Sequence, residues 1–135
     1  MSSQSPQSTS SNAQYILGLE AATPAGGVAL ATAQGQLLAH AWHDSKAPVS
    51  QRILADVDMI LERHGVAPGQ IAAVAVSQGP GSFTGIRVGL TVAKTLAQGW
   101  GCTLFTYSTL AAMASRWPVA GDVVCALLDA RRGEI

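Results

Sequence analysis

The sequence predicts an α/β lobe built on a mixed five-stranded sheet, and three observations carry that expectation. Short apolar runs rich in β-compatible residues are interrupted by two long segments with helical spacing. The first three runs are joined by connectors that suit hairpins, the later ones by helices that suit parallel crossovers. Of the 135 residues, 48% are apolar and 12% charged, which is the composition of a chain with a buried core.

Residues 15 to 19, YILGL, form the first run and end at Glu20. The turn-rich ATPAGG leads to GVALATA (27 to 33), and QGQ makes a tight turn into LLAHAW (37 to 42). The period then changes. Between Pro48 and His64 apolar residues fall at Val49, Ile53, Leu54, Val57, Ile60 and Leu61, with Arg52, Asp56, Asp58, Glu62 and Arg63 on the other face. Pro48 suits the first turn of such a helix and Gly65 the residue past its end. IAAVAVS (71 to 77) reads as a strand covered on both faces. A second helix runs from about Thr84 to Gln98. CTLFTY (102 to 107) is another strand, Ser108 caps a short helix stopped by Pro118, and VVCALLD (123 to 129) is a last apolar strand.

The order βββαβαβα, then β, gives an antiparallel meander extended by right-handed crossovers. It is the ribonuclease-H-like lobe of the actin, Hsp70 and sugar-kinase superfamily, followed by the first strand of an incomplete second lobe. The expected organisation is a disordered serine-rich extension over 1–13, an N-terminal actin-like lobe over 14–120, and the start of a truncated second lobe over 121–135.

Composition excludes several function classes. Eight basic and eight acidic residues give no net charge, unlike a freestanding nucleic-acid binder. The N-terminus lacks the basic and apolar regions of a secretory signal, and no apolar segment has the length of a membrane span. Cys102 and Cys125 lie in apolar runs with no CxxC or Cys/His cluster, so they read as core residues of a cytoplasmic protein that holds no metal.

The most informative stretch is SQGPGSFTGIRVGLTVAK (77 to 94). No register gives the P-loop G-x-x-x-x-G-K-[ST], and Gly79, Gly81 and Gly85 miss the dinucleotide spacing G-x-G-x-x-G. Ser82 and Thr84 have no adjacent histidine and no nucleophile elbow, so capping and loop hydrogen bonds account for them. Arg87, in a first helical turn, is expected to have a carboxylate partner, such as Asp56 or a group on another subunit. Gly85, Gly89, Ala93 and Ala97 recur every four residues along one helical stripe, beside the large stripe Val88, Val92, Leu96 and Trp100. The large stripe is expected to face the sheet. The small one would leave a groove for close helix contact, either with helix 48–64 of the same lobe or with a second protein.

ILGLEAATPAGGVAL, SQRIL, SQGPGSFTGIRVGL and LLDARRGEI, in this order, resemble the TsaB (YeaZ-like) family across residues 15–135. These are subunits of the bacterial machinery that makes threonylcarbamoyladenosine in tRNA. The resemblance implies a non-catalytic scaffold or activator subunit, serving tRNAs that read A-starting codons. It also implies pairing with a TsaD-type catalytic subunit, or with itself, through helices 48–64 and 84–98. Val49, Arg52, Ile53, Asp56 and Ile60 would contribute from the first helix, and Gly85, Arg87, Gly89, Ala93 and Ala97 from the second. A TsaE-type ATPase joins the complex, tRNA is met only through it, and ATP or ADP belongs to the complex level rather than to this chain alone.

Departures from the pattern bear on activity. Only His64 stands where catalytic relatives hold a metal with two histidines, and Val49 stands where TsaB-like sequences often carry one. The superfamily phosphate motif places Asp before small hydroxyl residues, whereas here it reads Glu20-Ala21-Ala22-Thr23. Glu20, Thr23, Gly79, Gly81, Ser82 and Thr84 therefore form a vestigial nucleotide-type loop, with no catalytic residue assigned. The alternative is a small-molecule kinase or ATPase using Glu20 and the 79–85 loop. A blander one is a homodimeric binding module unrelated to tRNA. His40, His43, Asp129, Arg131, Arg132 and Glu134 read as surface groups.

Overall fold

The computed structural model describes residues 14–42, 47–117, 121 and 123–129. Strands β1 (Tyr15–Glu20), β2 (Gly27–Thr32) and β3 (Leu37–Trp42) come first. A 3-10 turn, Val49–Gln51, leads into α1 (Ile53–Arg63), and a second, Pro68–Gln70, precedes the next strand. Then follow β4 (Ile71–Ser77), α2 (Phe83–Trp100), β5 (Thr103–Tyr107) and α3 (Thr109–Ser115). The sheet order is β3-β2-β1-β4-β5, with β1–β2 and β2–β3 antiparallel and β1–β4 and β4–β5 parallel. This is the expected mixed five-stranded sheet of a ribonuclease-H-like lobe.

Register places the core on one face. Leu17 lies beside Leu30 and Val74, and Leu19 beside Val28 and Val76. Above them α1 supplies Ile53, Val57, Ile60 and Leu61, and α2 supplies Ala93 and Ala97, all buried. Each large aliphatic group so buried contributes roughly 1.5–3 kcal/mol. The opposite face is built from small residues at the centre: a row across the five strands reads His40, Ala29, Gly18, Ala75 and Phe105.

Local chemistry explains the element ends. Gly35 takes φ +93° in the β2–β3 turn, where the Gln36 N–H donates to Thr32 Oγ1. Past α1, Gly65 adopts φ +61°. Helix α2 runs two residues beyond the expected Gln98 and ends at Gly101, which is left-handed at φ +66°. Ser108 caps α3 by accepting the Ala111 N–H over 3.3 Å.

Three expectations are corrected. Residues 123–129 form no strand: they pair with none of the described strands and Val123 is 97% exposed. A strand needs a ladder partner for its backbone groups, and apolar content alone supplies none. Asp56, expected on the polar face of its helix, is buried, whereas Leu54 is exposed. The cysteines are not both core: Cys102 is half-buried at the core margin and Cys125 is exposed. The readings for residues 1–13, His43, Pro118, Arg131, Arg132 and Glu134 lie outside the described residues.

Candidate functional site

The glycine loop and the β1–β2 turn meet at the N-terminus of α2. Glu20, the last residue of β1, folds its carboxylate back onto the turn. Its Oε1 accepts the Ala22 N–H at 2.6 Å, the Thr23 N–H at 3.2 Å and the Ser77 hydroxyl at 3.0 Å. The Tyr107 hydroxyl donates to the Leu19 carbonyl at 3.0 Å and lies 3.5 Å from Glu20 Oε2. Burial, and then the negative charge of Glu20, hold the Tyr107 phenol well above its ordinary pKa. Ser77 and Tyr107 sit at the C-terminal ends of parallel neighbours, so the sheet itself brings them to Glu20.

The turn held in this way fills the head of α2. The Ser82 N–H donates to the Ala22 carbonyl at 2.7 Å, and Ser82 Oγ in turn accepts the Gly85 N–H at 3.1 Å. A Cβ on Gly81 would fall on the Ala22 carbonyl oxygen, and one on Gly85 on the Ala21 carbonyl oxygen. These glycines are needed for backbone-to-backbone approach. At the head of α2 the Ser82 N–H is thus engaged by the β1–β2 turn and the Gly85 N–H by the Ser82 side chain.

Of the vestigial-loop set, Glu20, the Thr23 amide, Gly81 and Ser82 come together here. Gly79 joins the loop to α3 through its carbonyl, which accepts the Thr109 N–H at 2.9 Å. Thr84 stands apart, on the outer face of α2. Ser77, Tyr107 and the Ala21–Ala22 carbonyls were not singled out in the sequence. The available signal was a polar residue closing each of two apolar parallel strands.

Helix α2 is rotated from expectation, with the small stripe innermost and Val92, Leu96 and Trp100 of the large stripe half-buried at the core margin. Its buried residues are Gly89, Ala93 and Ala97, and the small stripe faces its own lobe. A Cβ on Gly89 would lie 2.9 Å from Ala21 Cβ and 3.4 Å from Val76 Cγ2. Helix α2 packs on β4, β5 and β1 and touches the 49–51 turn, while α1 packs on β2 and β3. The small stripe lets α2 come close to β4 and the β1–β2 turn, not to a foreign helix.

Of the residues expected at an interface, Ile53, Asp56, Ile60, Gly89, Ala93 and Ala97 are buried within the lobe. Val49, Arg52 and Gly85 are half-buried and Arg87 is exposed. Arg87 meets no carboxylate of Asp56; its guanidinium lies 5.4 Å from the ring centre of Phe83, itself exposed. The Arg52 guanidinium nitrogens are buried and make no hydrogen bond to the described residues.

The outer face of α2 carries a groove of about 330 Å³ lined by Thr84, Arg87, Val88, Thr91 and Val92. Thr91 and Thr95 donate their hydroxyls to the Arg87 and Thr91 carbonyls, both at 2.8 Å, so these polar groups are spent inside the helix. A second hollow, about 210 Å³, lies on the far face of the sheet beside Glu20, His40, Trp42 and Tyr107. Among the described residues no group of three or more His, Cys, Asp or Glu is placed to hold a metal, and no helix is long and apolar enough to cross a membrane.

Comparison with known proteins agrees with this architecture. Residues 43–135 match the TsaD family, tRNA N6-adenosine threonylcarbamoyltransferase. The chain is 40% identical over 122 residues to the tRNA threonylcarbamoyladenosine biosynthesis protein TsaB of Escherichia coli, covering 89% of this chain and 52% of that protein. It is 34% identical over 86 residues to the Bacillus subtilis protein of the same name, covering 64% of this chain and 38% of that one. The chain thus spans about half the length, or less, of these curated relatives. The solved structure of YeaZ from Pseudomonas aeruginosa superposes with a TM-score of 0.68 at 33% identity, over 76% of this chain and 47% of that one. The chain belongs to the TsaD family of threonylcarbamoyltransferase-related proteins, and within it to the TsaB/YeaZ group.

Proposed function

We propose that this chain is a non-catalytic subunit of the machinery that forms threonylcarbamoyladenosine in tRNAs reading A-starting codons. It acts by docking the outer face of α2, with the adjoining 49–51 turn, onto a TsaD-type catalytic relative. Burial of that face favours the active conformation of the partner. A TsaE-type ATPase joins the assembly, tRNA is met only through it, and any ATP or ADP is held at the level of the complex. In isolation the same face meets a second copy of the chain, more weakly.

One observation carries this reading. The outer face of α2 carries a groove in which Val88 and Val92 lie beside Thr91, whose hydroxyl is bonded back to the Arg87 carbonyl, while at the head of the helix the Ser82 N–H is taken by the β1–β2 turn. The interface is therefore drawn on Thr84, Arg87, Val88, Thr91 and Val92, rather than on the buried small stripe.

Co-purification with the TsaD-type subunit of the same cell, followed by modification of tRNA in a reconstituted mixture, tests it. Thr91→Trp fills the groove at an exposed position. The variant is expected to fold, to lose pairing and to lose stimulation of the modification. Normal pairing by folded Thr91→Trp protein would overturn the proposal. The kinase or ATPase alternative predicts tight magnesium-dependent ATP binding in calorimetry; none is expected from this chain alone.

A further inference from the structure

We infer that the helix seated on α2 is a heterologous one that presents carboxylates beside an apolar seam. The inference rests on the docking reading above and adds the chemistry of the partner. It starts from the charge of α2. Between Phe83 and Trp100 the helix carries Arg87 and Lys94 and no Asp or Glu. Both cations are exposed, and neither has a carboxylate partner among the described residues. They stand seven positions apart, which is two helical turns, so they fall on one side of the groove. Thr91 lies between them, with Val88 and Val92 on the adjoining line.

A basic row flanking an apolar groove selects its occupant by charge as well as by shape. An α2 helix packed on its own twin would set Arg87 and Lys94 of two copies against each other. Like charges at close range disfavour that pairing. A helix with Asp or Glu flanking its apolar positions turns the same row into ion pairs. The face thus discriminates between a second copy and a foreign subunit, and it gives the two associations opposite responses to salt. Pairing with the acidic partner weakens as salt screens attraction, whereas self-association through α2 strengthens as salt screens repulsion.

The test uses the full chain, the purified TsaD-type subunit of the same cell as probe, and equilibrium binding at low and high salt. Arg87→Glu/Lys94→Glu changes two exposed groups and is expected to leave the melting temperature unchanged. It is expected to weaken binding to the probe by about tenfold at low salt. Raising salt from about 0.05 to 0.5 M should weaken the wild type and strengthen the residual binding of the variant, whose glutamates repel the same carboxylates. If the double variant binds as the wild type does while Thr91→Trp blocks binding, the acidic partner is overturned and the docking reading stands. If Thr91→Trp also binds normally, the docking reading falls and takes this inference with it. A second copy carries exposed Asp58 and Glu62 on α1. Self-association that is weakened by salt, and abolished by Asp58→Lys/Glu62→Lys, would make a second copy the acidic occupant and overturn the assignment to a foreign one.

Discussion

The Ser82 N–H and the Ala22 carbonyl meet at 2.7 Å, joining the head of α2 to the β1–β2 turn. The contact is one link in a closed circuit. Ala22 is tied to Glu20, Glu20 to Ser77 at the end of β4, and the chain runs from Ser77 through the glycine loop back to Ser82. Glu20 therefore serves as an internal brace between the β1–β2 turn and the end of β4.

Glu20→Ala removes the acceptor for the Ala22 and Thr23 amides and for the Ser77 hydroxyl. Leaving these half-buried donors unsatisfied should destabilise the lobe by about 2–3 kcal/mol in denaturant titration. Hydrogen exchange at the Ser82 and Gly85 amides should speed up more than at core amides such as Val74. Glu20→Gln keeps an oxygen acceptor and should fall between the wild type and alanine.

Gly89→Leu is expected to damage the lobe rather than only its docking. Ala21 and Val76 already close on that position, so a leucine overpacks the sheet contact. A loss of about 1–3 kcal/mol or more in unfolding free energy should appear. Unchanged stability would show that α2 can be lifted off β4.

Tyr107 should give the lobe an alkaline limit. Its folded-state pKa is raised above the ordinary 10, so the folded protein keeps the phenol proton more tightly than the unfolded chain. The stabilisation is complete below pH 10 and declines as the pH rises above it. Tyr107→Phe removes the hydroxyl and should flatten this part of the stability–pH curve. An equally steep decline in the variant would assign the effect elsewhere.

The cysteines should separate in labelling. Burial raises the Cys102 thiol above its usual pKa and shields it, while Cys125 is exposed. Iodoacetamide near neutral pH should modify Cys125 first, and Cys102 only slowly until the lobe is unfolded.

The sheet was legible because its determinants are local or topological. Connector lengths separate hairpins from crossovers, and the right-handed rule then orders the strands. Spacing alone ruled out the P-loop and dinucleotide motifs in the glycine loop. The orientation of α2 was not. Two adjacent stripes compete for the sheet, one of valine and leucine and one of glycine and alanine, and hydrophobicity favours the larger. Distance decides: the β1–β2 turn approaches so closely that only Gly85 and Gly89 fit beneath it. That turn lies more than sixty residues earlier in the chain, out of reach of any periodicity. The same separation hid Tyr107, whose hydroxyl reaches a residue 88 positions earlier. Arg87 looked unfavourable at a helix start and called for a carboxylate; within the lobe it lies over the Phe83 ring one turn back rather than against Asp56.

The strand at the outer end of the meander has a practical consequence. β3 closes one side of the sheet with the sequence LLAHAW, and Leu37, Leu38 and Trp42 are exposed. Proteins ordinarily guard such a rim with lysine or proline, and this one has neither there. Among the described strands none pairs with its outer edge, so at high concentration this rim is expected to be a template for a neighbouring molecule. Leu38→Lys is the smallest change that would protect it without touching the core or the groove on α2.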